Sequence, residues 1–292
     1  MIGANSFSGA LWILPCYIGR GRALLSRSRM RKDLLAAILT LQMLSLPALA
    51  DDKNDDAAVI STKKEGVAWR PLLGQTAFFL VFQQSFRIAY EKETRVELKG
   101  PFWRDYITSV RGLHGWGDGD PFGIAYLGHP WNGAVAGRLF VQNDPVAKFL
   151  MFRNDKFYWK SRLKALGWSA VYSITFELSP IGEAAIGNIG GTPWPDGMGY
   201  TDLVITPVLG TGVFIAEDLA DRYVISWLEK RASFAPLTGA TRTILNPART
   251  MANMMRFKWP WYRDGRPVRG VAVPPNAVPV ASPTHLSLPK TP

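Results

Sequence analysis

Glu177 and Glu217 are the two side chains whose type and position could do chemistry. At 100° per residue, Glu217 shares a helix face with Gly210, Val213, Phe214, Val224 and Leu228, and Asp221 lies one turn on. Glu177 shares a face with Leu163, Leu166, Ala170, Ser173 and Ile174. A carboxylate inside an apolar stripe is expensive unless a base or hydrogen-bond donors meet it, or unless it stays protonated. If the two acids converge on one interior, they can serve as acid and base, or as metal ligands, with His129 adding a nitrogen. That would suit hydrolysis of a lipid or a cell-wall glycan. The structural alternative is a buried arginine–glutamate network that fixes helix register, and it weighs more.

Few groups can partner these acids. Arg138 shares its face with Ala134, Val135 and Val141, and Arg87 ends an earlier helix. Asp202 is placed to cap the helix that carries Glu217. Asp218 and Arg222, four apart, can pair along the surface. Arg138, Asp202 and Asp218 are therefore the expected binding residues around the catalytic candidates Glu177, Glu217 and His129. His129, between Gly128 and Pro130, also fits a turn histidine bonded to a carbonyl.

Recognised metal and nucleotide patterns are missing. There is no His-Glu-x-x-His, no Glu-x-x-His pair, no Gly-x-Ser-x-Gly elbow and no P-loop. The loop from His114 to Gly123 holds Asp118 and Asp120 but lacks the rest of a calcium loop and its final glutamate. The sequence thus calls for no metal and no cofactor. Gly187 to Gly191 reads as a turn.

The elements that must hold these groups are helices. Pro71 opens an apolar run laced with Gln75, Gln83, Gln84 and Arg87, too interrupted for a clear membrane span. Phe102 to Leu113 forms a short helix. Pro130 to Gln142 follows, with Gly133, Ala134, Ala136 and Gly137 allowing close approach of a neighbour. Tyr158 to Leu178 comes next and stops at Pro180. The organising helix runs from Thr201 to Glu229, with Pro207, Gly210 and Gly212 as kink points. A last helix covers Gly239 to Met255, with a start signal at Asn246-Pro247. No sustained alternation suggests strands. The expected fold is mainly α: a compact bundle of about five helices with long Gly/Pro-rich loops, over residues 67–264. Residues 265–292 hold seven prolines and read as a disordered spacer.

The N-terminal region is expected to direct export. Met30 is followed by Arg31 and Lys32, an apolar run from Leu34 to Leu46, and Ala48-Leu49-Ala50, the pattern of a secretory signal peptide over residues 30–50. Residues 1–29 then read as an upstream over-extension, and 51–66 as a flexible leader. The formal net charge of +11 falls to +6 once residues 1–50, with six bases and one acid, are removed. The single Cys16 goes with them, so no disulfide is expected. The mild basic excess suits an anionic membrane surface better than nucleic acid. The strip Arg256 to Asp264, RFKWPWYRD, suits either a membrane interface or a staple over the bundle end.

The segments GHPWNGAVAGRLF, FELSPIGEAAIG and GYTDLVITPVLGTGVFIAEDLAD, in that order, resemble an uncharacterised bacterial envelope family, the domain of unknown function 3943. The resemblance covers about Gly128 to Asp221 and rests on His129, Pro130, Gly133, Glu177, Asp202 and Gly210. It implies a bacterial periplasmic or outer-membrane location and no particular activity. The leading expectation is an exported envelope protein with a structural or assembly role, peripheral to or embedded in a membrane, with lipid or envelope components as partners. A carboxylate hydrolase and a small-ligand-binding bundle are the alternatives.

Overall fold

The computed structural model describes residues 66–117, 120, 122–186, 198–231 and 234–268. The expected signal peptide, its upstream extension, nearly all of the leader and the proline-rich tail from residue 269 lie outside the described residues, as does the glycine cluster at 187–191.

The described chain is helical and contains no strand. In order, the helices are α1 (Trp69–Tyr90), α2 (Lys92–Glu97), α3 (Phe102–Arg111), α4 (His129–Gln142), α5 (Lys156–Leu178), α6 (Glu183–Ile186), α7 (Thr201–Arg231), α8 (Ala235–Leu245) and α9 (Pro247–Met255). The class is the expected one, with more helices than about five. The additions are short, α2 and α6, together with a split of the last helix; α3 is the short helix expected over Phe102 to Leu113. At that split Asn246 adopts φ −131°, ψ 64°, because Pro247 cannot donate into a preceding helix and instead opens α9.

Helix α4 is the central rod. A π-helical turn, Ile124–Gly128, leads into it, and every residue of α4 except Trp131 is buried. The small residues explain this position. A Cβ on Gly133 would lie 1.8 Å from the Thr206 carbonyl oxygen, and one on Gly210 would lie 2.8 Å from the Gly133 backbone. Helices α4 and α7 therefore run side by side, in parallel, with their backbones touching. Helix α5 runs antiparallel to both. At one end the Ser173 hydroxyl donates to the Asp202 carbonyl (3.0 Å), and at the other Arg162 reaches Asp218 (2.7 Å). Ser169 donates to the Gly133 carbonyl at 3.0 Å between them. Helix α1 packs against α4 in the opposite sense, through Ala68 N to Asn143 O (2.9 Å) and Gln83 to Asn132 (2.8 Å).

The faces of α5 and α7 are turned the opposite way from the apolar-inward expectation. On α5, Leu163 and Ile174 are 66% and 53% exposed, while Ser161, Arg162, Ser169, Ser173 and Glu177 are buried. On α7, Val204, Val208, Leu209 and Leu219 face outward, and Asp202, Thr206, Glu217, Asp218 and Asp221 face inward. Val224, expected beside Glu217, is exposed. The π-helical stretch Ala220–Ile225 advances the register there, and Ile225 takes the inward place instead.

Candidate functional site

The buried charges fall into two clusters at opposite ends of α4. The first surrounds His129, at the start of that helix. Its Nε2 stands 3.3 Å from Asp202 Oδ2 and 3.6 Å from Asp120 Oδ2, and its Nδ1 stands 3.7 Å from Glu177 Oε1 and 3.5 Å from the Thr206 hydroxyl. Each group arrives on a different element: Asp120 from the segment before α4, Glu177 from the last turn of α5, Asp202 from the first turn of α7. The edge of Phe176 closes one side of the imidazole. One layer outward, Arg87 of α1 pairs with Glu183 of α6 at 2.6 Å and with Glu91 at 2.9 Å. Burial raises the Glu183 carboxyl above its ordinary value, and the Arg87 guanidinium pulls it back. Gln83, Asn132 and Tyr172 continue the polar interior one turn along α4, with Tyr172 donating to Gln83 and Gln83 to Asn132.

The second cluster surrounds Arg138, two and a half turns further along α4. Arg138 donates to Asp218 at 2.7 Å and to Glu217 at 3.3 Å, and its guanidinium lies over the Phe214 ring. Asp218 also meets Arg162 (2.7 Å), Arg249 (3.2 Å) and the Tyr158 hydroxyl (2.9 Å). Asp221, one turn on, meets Arg249, Arg263 and Arg266. Arg242 and Glu229 pair at 2.6 Å on the outer side. Glu217 has a further duty. Its carboxylate accepts from the backbone N–H groups of Ala248 (2.6 Å) and Arg249 (3.2 Å) and so caps α9, whose first amides have no partner within their own helix.

Several expectations change with this geometry. Glu177 and Glu217 are both buried, but they do not share a site. Glu177 lies level with Asp202, and Glu217 lies 15 residues further along the same rod, an axial separation of about 22 Å at ~1.5 Å per residue. Carboxyls that cooperate on one glycosidic bond stand roughly 5 to 10 Å apart. The antiparallel course of α5 against α7 is the cause, since it places the ends that bear the two acids at opposite poles. The expected catalytic trio thus divides into His129 with Glu177 at one pole and Glu217 at the other. Asp202 does not cap α7; its side chain turns inward to His129. Asp218 does not pair with Arg222 on the surface. It is fully buried among three arginines, and Arg222 donates to the Phe152 carbonyl. Arg263, expected in the exposed strip, is buried against Asp221, whereas Phe257 and Trp259 of that strip are exposed. In the sequence Asp120 reads only as part of an incomplete calcium loop, and nothing in that aperiodic loop links it to His129; Arg162 and Arg249 are not singled out there at all. One signal was present: Tyr158, Arg162, Ser169, Ser173 and Glu177 recur at spacings of four and seven, a polar stripe at helical period.

No family model, no curated protein and no solved structure matches this chain.

The geometry at the first pole can hold a proton or a cation among one imidazole and several carboxylates. The second pole is an ion-pair network in which every acid of the cluster meets at least one arginine. A shallow depression beside Asn154, Trp159, Lys160 and Leu163 lies on the surface at the start of α5, away from both clusters.

Proposed function

We propose that this chain is an exported, membrane-embedded helical bundle of the bacterial cell envelope with a structural or assembly role. The observation that carries this reading is the inversion of α5 and α7, with charged and hydroxylic side chains inward and branched apolar side chains outward. In water such an arrangement would leave the apolar surface hydrated and bury charges at a cost on both sides. In a bilayer the outward face meets hydrocarbon, and polar groups gather inside, where they find one another.

Dimensions support it. The outward side of α7 carries no charged residue from Leu203 to Ala220, a length of about 27 Å at ~1.5 Å per residue, close to the ~30 Å hydrocarbon core. Thr201–Arg231 is long and apolar enough to cross a membrane, and only 33% of its most apolar window is buried. Where that stretch ends, exposed Arg222, Tyr223 and Trp227 follow, and Phe152 touches both Tyr223 and Trp159 of the antiparallel α5. Tyr200 is exposed at the other end. Aromatic side chains thus stand at both limits of the apolar span and basic ones at one, and such residues are the usual interface anchors. Close contact of Gly133 and Gly210 is the packing that bilayers favour, because small residues let helix backbones touch.

The test is extraction. Membranes from expressing cells are washed with alkaline carbonate, then with detergent. The protein is expected to stay in the pellet through carbonate and to enter solution only with detergent. Recovery as a monodisperse, detergent-free protein that does not float with lipid vesicles would overturn the reading.

A further inference from the structure

The His129 pole has the geometry of a metal centre, and we propose that Asp120, His129 Nε2 and Asp202 bind one divalent first-row transition ion, with Glu177 orienting the imidazole from its other nitrogen. Three observations carry it. First, the ligand-type atoms of Asp120, His129 and Asp202 all lie within 4.8 Å of one another. The two measured edges, 3.3 Å and 3.6 Å, exceed the usual hydrogen bond of about 2.7–3.2 Å. They equal the edges of a tetrahedron whose centre-to-vertex bonds are about 2.0–2.2 Å, the range for zinc with nitrogen and oxygen ligands.

Second, Glu177 is placed as the outer partner of such a histidine. Its side chain is 6% exposed, its Oε1 accepts no hydrogen bond, and that atom faces His129 Nδ1 at 3.7 Å. A metal-bound histidine characteristically donates its second ring N–H to a carboxylate, which fixes the tautomer that leaves the other nitrogen free for the ion. Third, among the described residues the pole brings the carboxylates of Asp120, Glu177, Glu183 and Asp202 together with one guanidinium, Arg87, and one imidazole, His129, so a bound ion would take the place of a proton on the imidazole. Asp120 is about a quarter exposed, the most open of the three ligands.

The donor set decides the class of ion. One imidazole with carboxylates suits Zn²⁺, Mn²⁺ or Fe²⁺, whereas Mg²⁺ and Ca²⁺ prefer oxygen alone. A fourth coordination position, away from the three protein ligands, would remain for water or an oxygen of a bound molecule.

The experiment uses the full chain purified in detergent without chelator. Elemental analysis is expected to find about one transition ion per chain. After removal with EDTA, titration with Zn²⁺ or Mn²⁺ should raise the unfolding temperature, and Mg²⁺ at the same concentration should not. Co²⁺ in place of the native ion should give visible d–d absorption that is absent in Asp202→Asn. Glu177→Gln should still bind Zn²⁺, with affinity lower by about 10- to 100-fold, since it touches the ligand rather than the ion. If Asp202→Asn does not fold, the wild-type titration and its Zn²⁺-over-Mg²⁺ preference decide the matter alone. A metal-free preparation that shows no shift with either transition ion and no Co²⁺ absorption overturns the proposal. So does a Co²⁺ spectrum unchanged by Asp202→Asn. The carbonate extraction does not depend on metal, so failure here leaves the membrane reading standing.

Discussion

A methyl group at Gly133 should be among the most damaging single substitutions in this protein. The added Cβ would lie 1.8 Å from the Thr206 carbonyl oxygen and 3.0 Å from the Ser169 hydroxyl. An ordinary carbon–oxygen contact is roughly 3.3 Å, so α4 and α7 must part by about 1.5 Å. The obstacle is backbone, and no rotamer change relieves it. Overpacking costs about 1–3 kcal/mol even where side chains can yield, and the Ser169 bond to the Gly133 carbonyl adds about 1 kcal/mol when it is stretched. Gly133→Ala, with backbone that cannot yield, should fall at the upper end of the resulting range, about 3–4 kcal/mol. Three other glycines calibrate the figure. At Gly137 the new Cβ would meet only the Phe214 ring edge at 3.2 Å, and a loss under about 1 kcal/mol is expected. Gly167 and Gly212 face open space, where alanine should be neutral or stabilise by up to about 1 kcal/mol through helix propensity. Unfolding of the four variants in one detergent, followed by helical circular dichroism, measures the series. If Gly133→Ala and Gly212→Ala unfold within 1 kcal/mol of each other, the α4–α7 backbone contact is not what holds the bundle together.

Other substitutions test the charged interior and the outer face. Asp218→Asn keeps the shape but leaves Arg138, Arg162 and Arg249 facing an amide, and should cost about 3–5 kcal/mol, whereas Arg222→Ala on the exposed side should stay within about 0.5 kcal/mol; the same unfolding assay reads both. Glu217→Gln weakens the cap on α9, and hydrogen exchange at the Ala248 and Arg249 amides should quicken by about 10- to 100-fold, equivalent to ~1.4–2.8 kcal/mol. Val208→Lys puts an ammonium on the outward face of α7. In hydrocarbon this costs about 2.5–3.5 kcal/mol and should release protein into the carbonate wash, while a water-facing site would leave fractionation unchanged.

Much of the scaffold is readable from residue order. Gly133, Ala134, Ala136 and Gly137 mark the surface that another helix approaches, Pro71 falls within the first turn of α1, and Asn246-Pro247 marks a helix start. That Glu217 and Arg138 are buried also follows from period; Glu177 is buried too, but not on the face expected, since Leu163 and Ile174, placed beside it by period, are exposed. Which stripe of α5 turns inward does not follow from it. That helix carries an apolar row through Leu163 and Ile174 and a polar row through Ser169 and Glu177, and periodicity treats them alike; the surrounding medium and the neighbours decide. The depth of Asp218 depends on three arginines from three other helices, a convergence set by tertiary crossing rather than spacing. Asp120 reaches His129 from an irregular segment, where no repeat can point to it. The displaced face beyond Leu219 comes from a π-helical stretch that a constant 100° step cannot represent.

The division of charge along the central rod gives the molecule a head and a tail. Among the described residues, six guanidiniums (Arg138, Arg162, Arg242, Arg249, Arg263 and Arg266) meet four carboxylates (Glu217, Asp218, Asp221 and Glu229) at one pole, while the His129 pole is rich in carboxylates. A body built this way has a permanent moment along its long axis. If the bundle is seated in an energised bilayer, as proposed above, each elementary charge is worth about 2.3 kcal/mol per 100 mV, and the upright and inverted insertions would differ in energy. The fold thereby carries its own compass, and a single insertion sense should dominate when accessibility of cysteines introduced at Tyr200 and Trp227 is compared in intact cells.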